Sequence, residues 1–348
     1  MSKLMNSEGP VIHRLRPVAA LVAAALVGAS ALAACSLGAS PSPSARTPLV
    51  VGLGFIPNVQ FAPYYLAQQE GYYRDAGIDV TFDHRTDQDV VPLVGQGAMD
   101  LGNADGTSVI PAVSNGIPVR YIATIYGSFP SVVFAKASSG IESAADLEGK
   151  KLGIPGQFGS SWIMLQALLG STGLTPDDLD ILPYPDFGQG AALAQGAIDA
   201  ATGFANNEPV QLELSGEEVV VLHVDDAIAL PGPGLIAGTA TLAAKGDAIR
   251  AFVAATLRAV DEIAADPEVG LDAAIAAVPE LAESRDTQLA ILEATIETWR
   301  GPLTATQGFG AIDREGWADS VTFMSGLGLV PNAVEVDDLV DDGYLPTR

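Results

Sequence analysis

A seven-residue segment occurs twice in the chain and constrains the fold most strongly. Residues 94–100 (VGQGAMD) return 99 residues later as residues 193–199 (LAQGAID). Each copy closes a helical pattern and opens a strand pattern, and the shared glycine can supply the left-handed residue that ends a helix. The strand and helix patterns upstream of the two copies have nearly the same spacing. The repeat therefore predicts two lobes of similar architecture.

Short β-rich apolar runs alternate with helical patterns from Pro48 onward. Residues 49–53 and 151–154 are typical of strands, and the helical patterns 61–71 and 160–169 follow them. This alternation indicates an α/β protein with largely parallel sheets. We expect a two-lobed clamp, each lobe a mainly parallel sheet flanked by helices. The expected division of the chain is lobe 1 over 49–134 plus 233–348 and lobe 2 over 135–232.

The first residues are typical of an export signal. Basic residues precede an apolar run from Val18 to Ala33 that is too short to span a bilayer, and the run ends at Cys35. The segment before Cys35 resembles a bacterial lipobox, which predicts a signal peptide over 1–34 and a lipid on Cys35. An ordinary signal peptide cut at an Ala-x-Ala site is the alternative. The Ser/Pro-rich residues 35–48 then form a tether.

Composition excludes several classes of function. Cys35 is the single cysteine, so intrachain disulfides, cysteine metal sites and cysteine nucleophiles are excluded, and we expect no metal. The net charge of -25, with 42 acids against 17 bases, makes nucleic acid a poor partner. Phosphate-binding and His-Glu-x-x-His motifs are absent from the sequence. We interpret His84 as an exposed strand end and His223 as a core histidine, and we expect no enzyme and no cofactor.

Loops that leave predicted strands and enter predicted helices are the candidate binding sites, because backbone and side-chain groups converge there. They mix aromatic rings, which stack, with neutral polar groups, which form directed hydrogen bonds. Turn chemistry at Pro57–Asn58 and helix capping by Ser160 or Ser161 are the structural alternatives. The candidates in these loops and in the loop after residue 125 are Phe55, Asn58, Gln60, Asp105, Tyr126, Phe158, Ser160 and Trp162.

The segment Asn206-Asn207-Glu208-Pro209 follows a strand rich in Ala and Gly. Asn206, Asn207 and Glu208 join the candidate site, where Glu208 could accept two hydrogen bonds from an amino- or imide-bearing ring. Alternatively, Asn207 caps the helix that Pro209 opens. The two roles are compatible.

Residues 58–79 together with residues 146–154 resemble the solute-binding proteins for nitrate, sulfonate, taurine and the thiamine pyrimidine precursor. Helix, Gly-Tyr-Tyr, Gly-Ile-Asp-Val and Asp-Leu-x-Gly-Lys-Lys stand in that family's order. The resemblance covers most of the chain after the tether and implies a clamp that closes on solute and docks on an ABC permease with its ATPase. We also expect a monomer, and the lipid predicted on Cys35 would hold it at the outer face of the cytoplasmic membrane.

Residues 55–63, 154–159 and 206–209 most resemble the branch that binds riboflavin or the hydroxymethylpyrimidine of thiamine, with riboflavin preferred. Binding of sulfonate-, taurine- or nitrate-type anions is one alternative. A pyrimidine-precursor synthase is another, but that lineage needs a cysteine-rich motif that this chain lacks. A sensor lipoprotein serving a signalling partner is a third.

Overall fold

The computed structural model describes residues 46–85 and 87–347. The predicted signal peptide, Cys35 and the tether up to residue 45 lie outside the described residues. No described helix has the length and apolar character needed to cross a membrane.

Ten strands and thirteen α-helices alternate along the described chain. The strands are β1 Thr47–Leu53, β2 Ile78–His84, β3 Leu101–Asp105, β4 Val119–Thr124, β5 Ser131–Lys136, β6 Lys151–Ile154, β7 Asp180–Pro183, β8 Ala200–Phe204, β9 Val219–His223 and β10 Pro233–Gly238. The helices are α1 Ala62–Gln69, α2 Tyr72–Asp75, α3 Asp87–Gly95, α4 Gly106–Ser114, α5 Gly159–Gly170, α6 Gln189–Ala194, α7 Glu208–Leu214, α8 Thr239–Ala265, α9 Pro267–Ala277, α10 Arg285–Trp299, α11 Thr304–Gln307, α12 Arg314–Gly326 and α13 Val336–Leu339.

The strands form two five-stranded sheets with the same plan. Their orders are β2-β1-β3-β10-β4 and β7-β6-β8-β5-β9. In the first sheet β1 is parallel to β2 and β3, whereas β10 is antiparallel to β3 and β4. In the second sheet β6 is parallel to β7 and β8, whereas β5 is antiparallel to β8 and β9. Each sheet is therefore mixed, with one reversed strand among four that run the same way, and the predicted two-lobed α/β architecture is confirmed.

The reversed strand of each sheet follows, in the chain, a strand of the other sheet. β5 follows β4 in the chain but pairs along its length with β8 and β9 of the second sheet, and β10 returns to the first sheet. The expected boundary between residues 134 and 135 falls inside β5, because an apolar run does not reveal which sheet it will join. We move that boundary to the connection 125–130. The returning connection is 224–232.

The repeated segment performs the same structural task in both lobes. Gly97 and Gly196 each have φ of +73°, the left-handed conformation that glycine adopts without a steric penalty. The aspartate that ends each copy accepts a hydrogen bond from the neighbouring strand. Asp100 Oδ2 accepts from the Val50 N–H at 2.9 Å, and Asp199 Oδ2 accepts from the Lys151 N–H at 2.9 Å. The repeat therefore records a duplicated junction between helix and strand.

Apolar cores cover the sheets on both faces. One cluster lies between β1, α1 and the long helix α8, with Tyr64 and Phe252 fully buried. A second cluster runs from α4 of the first lobe to α5 of the second and includes Val109 and Met164. The lobes thus share buried contacts at one side. The loops after β1 and β7 meet elsewhere, where the Phe55 ring contacts the Phe187 ring.

Candidate functional site

Open α/β sheets bind ligands at the loops that follow the carboxyl ends of their parallel strands, and between the two lobes these loops define the candidate cleft. The loop after β1 starts the first wall, and a single 3₁₀ turn, Val59–Phe61, follows it. Asn58 caps this turn, because its Oδ1 accepts from the Gln60 N–H at 3.1 Å. Capping thus engages one oxygen of a predicted site residue, and the turn-chemistry alternative at Pro57–Asn58 is confirmed.

Gln60, Tyr126 and Asn206 form a polar group that links the lobes. The Tyr126 hydroxyl donates to Gln60 Oε1 at 3.1 Å. Burial raises the pKa of Tyr126, and hydrogen bonding with the Asn206 side chain opposes that rise. Gln60 belongs to the first lobe, Tyr126 to the connection 125–130 and Asn206 to the second lobe. The structure therefore brings three of the predicted site residues together.

Asn206 has an unusual balance of partners. Its side chain is 1% exposed, and its Nδ2 donates to Thr295 Oγ1 of α10 at 2.8 Å. Its Oδ1 is fully buried and accepts no hydrogen bond among the described residues. Buried polar atoms are nearly always hydrogen-bonded, and each exception calls for an explanation. Asn206 Oδ1 is therefore a buried acceptor that the described residues leave without a donor.

Asp105 lies at the corresponding loop of the first lobe and is 6% exposed. It occupies the N-cap position of α4 but makes no capping bond through its side chain. Its negative charge contributes to the raised pKa of Tyr126, after the larger effect of burial. Asp105 is thus near enough to the polar group to influence it electrostatically.

Phe55 lies at the cleft mouth and contacts a residue that the sequence analysis missed. Its ring packs edge-to-face on Phe187, with centroids 5.4 Å apart and planes at 90°. Phe187 follows β7 in the second lobe and is 48% exposed. An aromatic residue beside Gly188 in a loop after a strand was the available sequence signal.

The backbone of Phe55 is fixed by a histidine. His84 Nδ1 lies 2.9 Å from the Phe55 carbonyl oxygen, and His84 Nε2 lies 3.0 Å from the Tyr65 hydroxyl. Because a carbonyl oxygen only accepts, Nδ1 carries the proton and Nε2 accepts from Tyr65. Burial lowers the pKa of His84. The expectation of an exposed His84 was wrong, as was that of a core His223, which is exposed at the end of edge strand β9.

The predicted residues of the loop after β6 contact other residues of the second lobe. Phe158 is 55% exposed, and its ring covers Gly156, where an added Cβ would lie 2.3 Å from Phe158 Cε1. Phe158 also takes the N-cap position of α5, so Ser160 and Ser161 lie inside the helix and the capping alternative for these two serines is wrong. Trp162 is half-buried against the second core cluster.

Asn207 and Glu208 also bond locally. Asn207 holds the N-cap position of α7 without a capping bond, and its Oδ1 accepts from Gln211 Nε2 at 2.8 Å. Glu208 Oε2 accepts from the Phe204 N–H at 2.9 Å, at the end of β8. Burial raises the pKa of Glu208, and hydrogen bonds from the N–H groups of Phe204 and Glu208 itself oppose the rise. Ligand contact by either residue stays a prediction.

The site is rich in rings and amides and poor in cations. Its predicted members include no Lys or Arg. Within the residues that the structure describes, no group of three or more His, Cys, Asp or Glu could hold a metal ion. The arrangement suits an uncharged planar ring with hydrogen-bonding edges, because aromatic faces stack and amides both donate and accept.

The family model described as NMT1/THI5 like matches residues 58–269, which is more than half of the chain. The chain belongs to the NMT1/THI5-like family. The riboflavin-binding protein RibY of Chloroflexus aurantiacus is 34% identical over 88% of this chain and 90% of its own length. The formylaminopyrimidine-binding protein of Halalkalibacterium halodurans is 25% identical over 88% and 93%.

Solved structures and enzyme relatives complete the comparison. The periplasmic aliphatic sulphonate binding protein SsuA from Escherichia coli has a TM-score of 0.69 and 18% identity, over 84% of this chain and 97% of that one. It shows that this NMT1/THI5-like chain has the periplasmic-binding-protein fold. A pyrimidine phosphate synthase of Aspergillus parasiticus is 29% identical but matches only 61% of the chain. The chain is therefore a solute-binding protein of the family, and the prediction that it is not an enzyme is confirmed.

Proposed function

We propose that this protein captures riboflavin in the cleft between its lobes and delivers it to an ABC importer. The observation that carries the proposal is the chemistry of the cleft. Aromatic rings from both lobes meet at its mouth, and the buried Asn206 Oδ1 accepts no hydrogen bond among the described residues. A flavin offers a large planar face for stacking and an imide N–H that can donate to such an acceptor. The 34% identity to RibY over most of both chains supports this ligand class.

The thiamine pyrimidine precursor is the second candidate. It is also a planar ring with donor groups, and the similarity to a formylaminopyrimidine-binding protein supports it. Anions of the sulfonate, taurine or nitrate type fit less well. Recognition of a sulfonate or nitrate group favours charged donors such as Arg, and the predicted site residues include none.

Ligand entry requires the lobes to separate, because Phe55 and Phe187 touch across the mouth. The connections 125–130 and 224–232 join the two sheets and are the natural hinges. Both are held to neighbouring structure. The Ser128 N–H donates to the Thr298 carbonyl oxygen at 3.1 Å, and the Phe129 N–H donates to Asp225 Oδ2 at 3.0 Å. Closure on the solute would then present one defined surface to a permease.

Export and lipid attachment are part of the proposal. The apolar run that ends at Cys35, the single cysteine, supports lipidation and retention at the outer face of the cytoplasmic membrane as a monomer. A Cys35→Ala variant should leave the membrane fraction of expressing cells. Retention of the variant in that fraction would refute the lipid anchor and leave the solute assignment intact.

The ligand assignment is tested by thermal unfolding of residues 45–348, which form one compact unit. Riboflavin at about 100 times its dissociation constant should stabilise the folded protein by about 2.7 kcal/mol and raise the melting temperature by about 4 °C. Hydroxymethylpyrimidine, taurine and nitrate serve as comparison ligands. A shift with taurine or nitrate and none with riboflavin would refute the assignment.

A further inference from the structure

Phe187 combines two features that seldom occur together in a loop residue. Its φ is +59°, and within the described ranges it is the non-glycine residue with a positive φ. A β-carbon makes this left-handed backbone unfavourable, so the surrounding structure must hold it. The Phe187 N–H donates to the Tyr184 carbonyl oxygen at 3.0 Å, and Asp186 Oδ1 accepts from the Gly188 N–H at 3.2 Å. These two bonds hold the turn.

The strained turn does not serve to bury the ring. Phe187 remains 48% exposed, whereas the large aromatic residues of the cores are almost fully covered. Leaving a large apolar ring in water forfeits the usual gain from burial. Strained residues cluster at ligand clamps and switch regions, and a strained, exposed phenylalanine therefore suggests a functional reason for its position.

The partner of Phe187 belongs to the opposite lobe. Its ring meets the Phe55 ring edge-to-face at 5.4 Å. Phe55 is fixed from behind, because the His84 ring bonds its carbonyl oxygen and the Tyr65 hydroxyl together. The backbone of Phe55 is thus held by hydrogen bonds to its loop, and the backbone of Phe187 is held by the left-handed turn. The pair spans the cleft mouth.

We propose that Phe187 is a specificity-determining residue that closes with Phe55 over a planar, uncharged ring in the cleft. The inference rests on the proposed function and adds a recognition element from the loop after β7. The left-handed turn aims the Phe187 ring at the mouth, and separation of the lobes breaks the pair and admits the ligand. On closure the ligand ring gains an aromatic contact from each lobe, which favours flat ligands over compact anions.

The test measures riboflavin affinity by titration calorimetry and melting temperature without ligand. Phe187→Leu keeps an apolar side chain but removes the ring, and it should weaken riboflavin binding about tenfold. Phe187→Gly should weaken binding at least as much while raising the melting temperature of the ligand-free protein, because glycine relaxes the left-handed turn. Leu214→Ala, at an exposed position on α7, is the matched control and should leave both quantities unchanged.

A double-mutant cycle identifies the partner. If Phe55 and Phe187 act on the same ligand ring, Phe55→Leu and Phe187→Leu together should cost less than the product of their separate fold-losses. Independent, multiplicative losses would contradict the paired closure.

The remaining outcomes separate this inference from the proposed function. Failure of the wild-type protein to bind riboflavin would overturn both. Riboflavin binding by the wild type, with equal affinity in Phe187→Leu and Phe187→Gly, would overturn the aromatic closure and leave the proposed function standing. A lowered melting temperature of ligand-free Phe187→Gly would show that the ring stabilises the fold, and would overturn the strain argument.

Discussion

Replacement of Asn206 by leucine tests whether its buried carbonyl oxygen is reserved for a ligand. In the ligand-free protein Asn206 Oδ1 has no partner among the described residues, and its Nδ2 bonds Thr295. The Asn206 side chain also bonds Tyr126, which keeps Gln60 Oε1 as a partner in the variant. An unsatisfied buried acceptor costs about 1–3 kcal/mol, and a neutral hydrogen bond contributes about 0.5–1.5 kcal/mol. Thr295 keeps a partner in the variant, because its Oγ1 also donates to the Ile291 carbonyl oxygen at 2.7 Å.

Asn206→Leu should therefore leave the free energy of unfolding of the ligand-free protein unchanged or raise it by up to about 2 kcal/mol. The same change should weaken riboflavin binding by about 1–3 kcal/mol, because the ligand donor loses its acceptor. Urea unfolding gives the first quantity and titration calorimetry the second. A gain in stability with a loss of affinity is typical of residues kept for function.

Thr295→Val should change the free energy of unfolding in the opposite direction to Asn206→Leu. It keeps the shape of the threonine but removes one partner of the Asn206 side chain, so it should destabilise the protein by about 0.5–1.5 kcal/mol. Destabilisation of Asn206→Leu by more than about 2 kcal/mol would refute the reasoning, because Oδ1 would then already have a strong partner in the free protein.

Three further substitutions test the duplicated junction and the buried carboxylate. Asp100→Ala should destabilise by about 2 kcal/mol and Asp199→Ala by about 1 kcal/mol in urea unfolding, because Asp100 also binds Lys245 Nζ at 2.8 Å, and equal costs would contradict this. The expected pH dependence of Glu208→Gln follows from the raised pKa of the Glu208 carboxyl in the native state. Because the native state holds the proton more tightly than the unfolded state, the carboxyl stabilises the protein below its unfolded-state pKa. This stabilisation is lost as the pH rises through its native-state pKa. The free energy of unfolding of Glu208→Gln minus that of the wild type should therefore increase with pH across that window, and a flat difference between pH 4 and 7 would refute it.

Local chemistry made much of the fold predictable. The junctions at residues 94–100 and 193–199 each depend on a glycine that ends the helix and on an aspartate that bonds the adjacent strand. Because these interactions are local, the repeat in the sequence was enough to predict both junctions. The strand β6 was predicted with the bounds that the structure has. The reversed strand β5 was misassigned because its apolar pattern fits either sheet, and pairing with β8 and β9 depends on contacts distant in sequence.

The candidate site was predictable only in part. Sequence position placed Gln60, Tyr126 and Asn206 in loops at strand ends, and the structure joins them. The contacts of Phe187 and Thr295 depend on how the lobes and α10 pack, which no local pattern encodes. The internal bond of Glu208 Oε2 to the Phe204 N–H was also hidden, because the same carboxylate pattern fits a ligand contact and a loop closure.

The most direct test of riboflavin capture is a titration of the purified protein followed by flavin fluorescence. Stacking against the aromatic rings of the cleft should change the emission in a saturable way with one flavin per chain, and taurine or nitrate in large excess should leave the curve unchanged. Fluorescence that does not respond to the protein, or a change that taurine reverses, would contradict the assignment of this cleft to a planar vitamin.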